Sequence, residues 1–319
     1  MRSYLEFEKS VADLEGKVQE LRSLAENGEA VDVADEIDKL EGKAALALSE
    51  IYGKLTPWQK TLVARHPDRP HALEYINGLI DDFTPMAGDR SFGNDLAIIA
   101  GFGRFNGQSV AVLGQEKGSD TESRLKHNFG MARPEGYRKS ARIMELADNF
   151  KIPVISFVDT AGAYPGVGAE ERGQAQAIAH STDVSLGLRV PNISIIIGEG
   201  MSGGAIAIAA TNHVAMFEHA IYSVISPEGA ASILWRDSAK AQEAATNMKI
   251  TAQDLMDLKV IDEIIAEPIG GGHREPQQVI ADAGKSIEKF LEAFGDKEGD
   301  EIRQLRRDKF MTIGRALKN

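Results

Sequence analysis

The segment ISIIIGEGMSGGAIAIAA, beginning at Ile193, holds three possible chemistries in one set of residues. Gly198, Gly200 and Gly203 fit the G-x-G-x-x-G of a dinucleotide-binding turn, and Gly200, Ser202 and Gly204 fit the G-x-S-x-G of a serine hydrolase's nucleophile elbow. The third chemistry needs no side chain. An apolar run precedes the glycines and an Ala/Ile run follows them, so a buried strand feeds a buried helix that opens on the backbone N–H groups of Gly203 and Gly204. Such groups have no intrahelical acceptor and attract developing negative charge.

The hydrolase pattern finds Asp237, Asp262 and His273 downstream, in the Ser, Asp, His order that such enzymes use. Order alone decides little, because a long chain with seven histidines and many aspartates supplies such trios by chance. Without a role for its hydroxyl, Ser202 is a small residue or a helix cap that lets the turn close. The dinucleotide pattern has Glu218 near the distance of a ribose-binding acid. Its glycines nevertheless follow at least three strand-like segments, whereas a nicotinamide fingerprint lies on the first strand of its unit. No G-x-x-x-x-G-K-[ST] phosphate loop occurs.

The backbone chemistry recurs at FVDTAGAYPGVGAEERGQAQAIA. A strand ends at Asp159, a turn rich in Gly and Pro runs through Gly168, and a helix begins with Glu170 and Glu171, acids favoured in a first turn. Backbone donors aimed at one oxygen are what a reaction through an enolate or tetrahedral anion needs. Losing one such donor raises a barrier by about 3 kcal/mol. A single glycine more often serves only a tight turn, but two such units in one chain point to function.

The elements that must position these turns are legible in outline. Val11, Leu14, Val18 and Leu21 mark one amphipathic helix, ENGEAVD breaks it, and Ile37, Leu40, Ala44, Leu48 and Ile51 mark a second. Residues 1–55 therefore read as a helical hairpin whose apolar stripe must pack on the rest of the chain or on a partner. LAIIAGFGRF and QSVAVLG form a β-hairpin about Asn106 and Gly107. Beyond it EGYRKSARIMELADNF, AEERGQAQAIAHSTDVSLGL and PEGAASILW read as helices, and IPVISFVDT, VPNISIIIGEG, NHVAMFEHAIYSVIS and VIDEIIAEP as strands. Two polar helices finish the chain. The class is α/β with crossover connections.

Composition narrows the partners. With 319 residues, 36 Lys and Arg against 48 Asp and Glu and a formal charge of -12, a nucleic-acid footprint over the whole surface is not expected. The absence of cysteine removes disulfides, a thiol nucleophile and thiolate-held zinc. His66, His71 and His273 lie in Pro- or Gly-flanked loops without metal-ligand spacing, so no metal is expected in this chain. Neither a signal peptide nor a run of about 18 apolar residues is present, which makes the cytoplasm the expected location. Lys117, Arg124, Lys126, Arg133, Arg138, Lys139 and Arg142 form a basic stretch. It is either a solvated face with local ion pairs or a docking surface for the phosphates of a ligand or an acidic partner.

Five segments in order, ARHPDRPHALEYI, NFGMARPEGYRK, DTAGAYPGVGAEERGQ, IGEGMSGGA and YSVISPEGAASILW, closely resemble the α-subunit family of bacterial acetyl-CoA carboxylase carboxyltransferases. The likeness runs from the N-terminal helices almost to the C-terminus. It implies a ClpP/crotonase-like fold, in which stacked strand and helix units form a spiral core, with an N-terminal helical extension. The expected division is a hairpin at 1–55, a carboxyltransferase domain at 56–295 and a C-terminal helix at 296–319. The resemblance further implies an α2β2 assembly with a β subunit that holds zinc, and a larger complex with biotin carboxylase and the biotin carboxyl carrier protein. Carboxybiotin would pass its carboxyl group to acetyl-CoA, giving malonyl-CoA for fatty acid synthesis. Gly203 and Gly204 would face the biotin ureido oxygen, and Gly162, Ala163, Tyr164, Gly166, Val167 and Gly168 would line the same site, with Tyr164 and Tyr222 as nearby aromatics. The biotin ureido nitrogen would take the acetyl proton, so no general-base side chain is demanded. The family usually has Pro at the position of Ala161 and Gly at that of Met201. The second departure matters only if Met201 must take a backbone angle that glycine alone tolerates.

Overall fold

The computed structural model describes residues 3–26 and 33–315. Helices α1 (Lys9–Glu26) and α2 (Ala34–Tyr52) form the expected antiparallel pair, although most of the expected break, residues 27–32, lies outside the described residues. Val11 and Val18 of the first stripe and Leu40, Ala44 and Leu48 of the second are buried. Leu14, Leu21, Ile37 and Ile51 are only half-buried. The pair docks through Val11, Leu48 and Tyr52 onto Val63 of α3 (Pro57–Ala64), and buried Glu8 accepts the Tyr52 hydroxyl at 3.0 Å.

Helix α4 (Ala72–Leu79) leads into an eight-stranded sheet: β1 (Asp81–Pro85), β2 (Ile98–Phe105), β3 (Gln108–Gln115), β4 (Val154–Thr160), β5 (Asn192–Met201), β6 (His213–Phe217), β7 (Ile221–Ser223) and β8 (Glu263–Ile265). The spatial order is β1-β2-β3-β4-β5-β6-β8, with β7 paired to the far end of β5. β1, β2 and β3 are antiparallel; the other pairings are parallel. Asn106 and Gly107 both take positive φ, 47° and 80°, as the tight turn between β2 and β3 requires. Every residue of β4 and β5 is buried, which explains their nearly unbroken apolar sequences.

The crossovers are α5 (Thr121–Lys126) and α6 (Pro134–Phe150) before β4, then α7 (Val167–Glu171) and α8 (Gln174–Gly187) before β5, then α9 (Ser202–Ala209) before β6. The single helix expected over AEERGQAQAIAHSTDVSLGL is two. It starts earlier, at Val167, and breaks at Gly173, whose φ of 80° ends α7 and caps α8. Helices α10 (Pro227–Trp235), α11 (Ala241–Asn247) and α12 (Ala252–Asp257) fill the connection to β8.

Helices α13 (Pro276–Phe294) and α14 (Gly299–Thr312) close the chain. α13 packs on α4, β5 and β8. α14 is pinned by Arg306, fully buried, which donates to Asn192 Oδ1 at 2.9 Å, to the carbonyls of Leu186, Leu188 and Val190 at 3.1, 2.7 and 3.1 Å, and to Asn212 Oδ1. Burial lowers this guanidinium to about 10, with Asp148 opposing the shift. Its neighbours are carbonyl oxygens, and it works as a donor more than as an ion.

His66 and His273 stack with ring centroids 3.7 Å apart and planes 14° from parallel. Burial comes first, and the neighbours His66, Arg69 and Arg274 add to it, so that His273 is pushed down to about 3; burial lowers His66 too. The His273 ring stays neutral in the fold and gains a proton on unfolding. Between about pH 6.5 and the depressed folded value the unfolded chain binds more protons, so stability falls as pH falls. His273 alone should contribute on the order of 2 kcal/mol of loss between pH 7 and 4.5. Denaturant unfolding of the wild type and His273→Gln at both pH values measures it, and parallel losses in the two proteins would exclude His273 as the cause.

Candidate functional site

β3, β4 and β5 lie side by side and parallel from β3 onward, so their carboxyl ends open at one edge, where α/β sheets bind ligands. Val158 pairs with Ile196 but Thr160 pairs with Gly200, so Ile197, Gly198 and Glu199 all stand opposite Asp159. A bulge of this kind bends a strand and re-aims its end. Arg69 Nε donates to Ile197 O at 2.6 Å, and Asp159 Oδ1 accepts the Glu199 N–H at 2.9 Å. Gly198 makes room for that carboxylate: a Cβ there would stand 2.6 Å from Asp159 Oδ1. Gly198 and Gly200 thus lie within β5, not in a phosphate-binding turn, and the dinucleotide pattern has no structural counterpart.

Asp159 and Glu199 converge on Lys117, which follows β3 and lies 2.7 Å from each. Arg65 Nε donates to Glu199 Oε1 at 2.7 Å and its other nitrogens reach Glu228, while His71 Nδ1 lies 3.3 Å from Asp159 Oδ2. Burial opposes each of these charges, but the pairing outweighs it. Lys117 and His71 hold Asp159 well below the usual carboxylate range, Lys117 and Arg65 do the same for Glu199, and the two carboxylates keep Lys117 above the ordinary ammonium value. A cavity of about 260 Å³ opens here, lined in part by Arg65, His71, Lys117, Phe129, Asp159 and Ala161. A larger recess, of about 1440 Å³, is lined among the described residues by α1, α2 and Tyr4, and these bring no catalytic set together.

The two glycine turns spring from these strand ends and touch. Gly204 packs so tightly on the first turn that a Cβ would stand 2.7 Å from Gly162 C and 2.9 Å from Ala163 N. Gln115 Nε2, at the end of β3, donates to Gly204 O at 2.6 Å. Gly203 is looser, with Ile178 Cγ2 at 3.2 Å from such a Cβ. No side chain caps α9, and the N–H groups of Ala163, Gly203 and Gly204 meet no acceptor among the described residues. Two N–H groups of the first turn are already engaged: Gly162 with Thr160 Oγ1 at 3.1 Å and Tyr164 with Ala132 O at 3.0 Å. Val167 and Gly168, expected in the turn, instead form the first residues of α7 after Gly166. Tyr164 lays its ring over Gly166 and under the Arg133 guanidinium, 4.8 Å from the ring centroid. Tyr222 packs on Gly200, and burial pushes its hydroxyl up to about 12.

Met201 is extended, with φ -110° and ψ 131°, so the residue standing in for Gly imposes no strain. The strain sits one residue later: Ser202 has φ 57°, a left-handed conformation that costs a non-glycine residue on the order of 1 kcal/mol. The hydrolase trio does not assemble around it. Asp262 accepts the Val214 N–H; Val214 pairs with Ser194, eight residues before Ser202 and roughly 25 Å away along the strand. Asp237 caps the short turn at Ser238–Lys240, and both ring nitrogens of His273 are buried without a partner.

The basic stretch does not form one surface. Lys117 is the half-buried bridge described above, Arg138 binds Asp89, Lys139 donates to Asn94 and Asp95 O, and Arg142 donates to the Ala87 and Gly88 carbonyls. Lys126 and Arg133 remain exposed. The Lys117, Asp159, Glu199 and Arg65 cluster escapes sequence reasoning, although ARHPDRPHALEYI and the Glu199 between two glycines were its visible parts. No group of three or more His, Asp or Glu side chains suited to a metal ion occurs among the described residues. No helix among them is long and apolar enough to cross a membrane.

Strand, glycine turn, helix units repeated side by side on a mostly parallel sheet give the chain a crotonase-like fold. It superposes on the transcarboxylase 12S hexamer with bound methylmalonyl-coenzyme A at a TM-score of 0.59 and 21% identity, over 74% of this chain and 44% of that one. Against a Pseudomonas malonate decarboxylase hetero-tetramer in complex with coenzyme A the TM-score is 0.57 at 17% identity, over 77% and 97%. These likenesses establish the fold. The model of the acetyl co-enzyme A carboxylase carboxyltransferase-like family matches residues 4–314, and the chain belongs to that family. It is 66% identical over 317 residues to the acetyl-coenzyme A carboxylase carboxyl transferase subunit alpha of Chelativorans sp. strain BNC1, covering 99% of this chain and 100% of the relative. The protein of the same name from Xanthobacter autotrophicus is also 66% identical over 317 residues, with the same coverage of both chains.

Proposed function

We propose that this chain is the α subunit of an acetyl-CoA carboxylase carboxyltransferase, moving a carboxyl group from carboxybiotin on a carrier protein to acetyl-CoA to give malonyl-CoA. The observation that carries the reading is the pair of unengaged N–H groups at Gly203 and Gly204, the second of these glycines wedged against Gly162 and Ala163. Carboxybiotin, bound to its carrier, would supply the carboxyl group. The N–H groups of Gly203 and Gly204 would hold its ureido oxygen, and the α9 N-terminus would add its favourable dipole. Ala163, Tyr164, Gly166, Val167 and Gly168 wall the same cleft, and Gly162 sets its closest approach. No side chain of this chain need act as a base. The His71–Asp159 contact is turned inward, with His71 Nε2 buried.

A partner is built into this reading. Val167, Ile206 and Val224 are exposed beside the glycine turns, at 76%, 40% and 80%, and Ile233 and Leu234 on α10 are exposed as well. Apolar surface of this kind marks an interaction site. A β subunit seated there completes an α2β2 enzyme and supplies any zinc; the biotin carboxyl carrier protein and biotin carboxylase serve it in turn.

Co-purification with a β subunit, followed by malonyl-CoA decarboxylation with free biotin or biocytin, tests the assignment; assembly without turnover would count against it. In the same assay Ser202→Ala should keep kcat within about threefold of wild type, since its hydroxyl makes no transition-state contact. A loss beyond about 100-fold would restore the hydroxyl as nucleophile.

A further inference from the structure

Asp159 is the penultimate residue of β4, just before the turn carrying Gly162 and Ala163, and Glu199 precedes Met201 and the start of α9. Lys117 touches both carboxylates at 2.7 Å. One ammonium therefore ties together the two segments whose contact at Gly204 and Gly162 leaves no room for a methyl group. We propose that Lys117 is a positioning residue for carboxyl transfer: it sets the spacing of the two glycine turns without touching substrate. The inference rests on the reading of Gly203 and Gly204 as charge-stabilising donors.

The other charges at this spot each make direct contact with one side only. Arg65 binds Glu199 and, beyond it, Glu228; His71 faces Asp159; Arg69 binds the Ile197 carbonyl. Regular β4–β5 pairing stops at Val158 and Ile196 and resumes only at Thr160 and Gly200, so the backbone restrains these ends weakly. Beside Lys117 the direct link across the bulge is the Glu199 N–H on Asp159. Removing the ammonium leaves two buried carboxylates facing each other, which repel. They would separate the strand ends and with them the turns. A shift of about 1 Å at a site of this kind costs about 100-fold in rate.

The charge, more than the contact, is what matters, and that is separable by experiment. The full chain, assembled with its β subunit, is assayed for malonyl-CoA decarboxylation as wild type, Lys117→Met, and Lys117→Met with Glu199→Gln, and thermal unfolding of each complex is recorded. Lys117→Met should lose about 100-fold in kcat with the malonyl-CoA KM within about threefold of wild type. Adding Glu199→Gln, which removes the repulsion, should recover at least about tenfold of that loss. Retention of kcat by Lys117→Met overturns the inference. So does an equal loss in the single and double variants accompanied by lowered unfolding temperature, which assigns Lys117 to folding alone. An inactive wild-type complex refutes the functional reading itself, and the inference with it, and is told apart because no variant is then needed.

Discussion

Gly204→Ala should lower carboxyltransferase turnover by about 10²–10³-fold, while Gly203→Ala stays within about tenfold of wild type. Both variants keep their backbone N–H, so the difference must come from space. The new methyl at position 204 would lie 2.7 Å from Gly162 C and 2.9 Å from Ala163 N. Those are backbone atoms held by Thr160 and Ala132, and they cannot swing aside. The turns must part, and donors aimed at one oxygen lose their common focus. At position 203 the methyl meets Ile178 Cγ2 at 3.2 Å, the branch of a side chain that can shift by a few tenths of an ångström. Single-turnover rates of each variant, in complexes checked for assembly by size-exclusion chromatography, decide it. Equal losses at the two positions would show that the contact between turns does not set the donors' geometry.

Arg306→Met should destabilise the chain by about 4 kcal/mol, roughly 5–8 °C in unfolding temperature for a protein of this size. The arginine gains little from its charge, since its acceptors are the carbonyls of Leu186, Leu188 and Val190 and two asparagine side chains. Its value lies in five donors held in one plane, each meeting a buried acceptor, and the carbonyls of Leu186, Leu188 and Val190 would lose that donor with it. Arg306→Lys keeps a cation but offers three donors from one atom, and should recover less than half of the loss. Equilibrium unfolding in urea measures both. A change below about 1 kcal/mol for Arg306→Met would mean that water replaces the guanidinium in those bonds.

Local chemistry in the sequence was legible and long-range chemistry was not. Asn106 and Gly107 announce the β2–β3 turn because positive φ has few tolerant residues. The apolar runs before Asp159 and Glu199 announce β4 and β5 because strands buried on both faces admit little else. Gly203 and Gly204 stood out for the same reason: a strand, a small-residue turn and a helix are read from neighbours in the chain. The bulge at Ile197–Glu199 has no such mark, since its cause is Asp159, forty residues earlier than Glu199 and bonded to it across the sheet. Lys117 reads as one member of a basic stretch until β3 and β5 bring it to Glu199, 82 residues away. The helix start at Val167 was missed because Glu170 and Glu171 suit a first turn, while Gly166 and Gly173 set the true limits by backbone geometry.

The seat of Arg306 bears on how the polypeptide is made. Its acceptor Asn192 lies 114 residues earlier, so at 5–20 residues per second a translating ribosome leaves that niche empty for about 6–23 s. During this interval the nascent α/β core carries unpaired carbonyls at Leu186, Leu188 and Val190 and an open apolar rim. Arg306 can therefore complete these contacts of α8 and β5 only after the segment that holds α14 has been made.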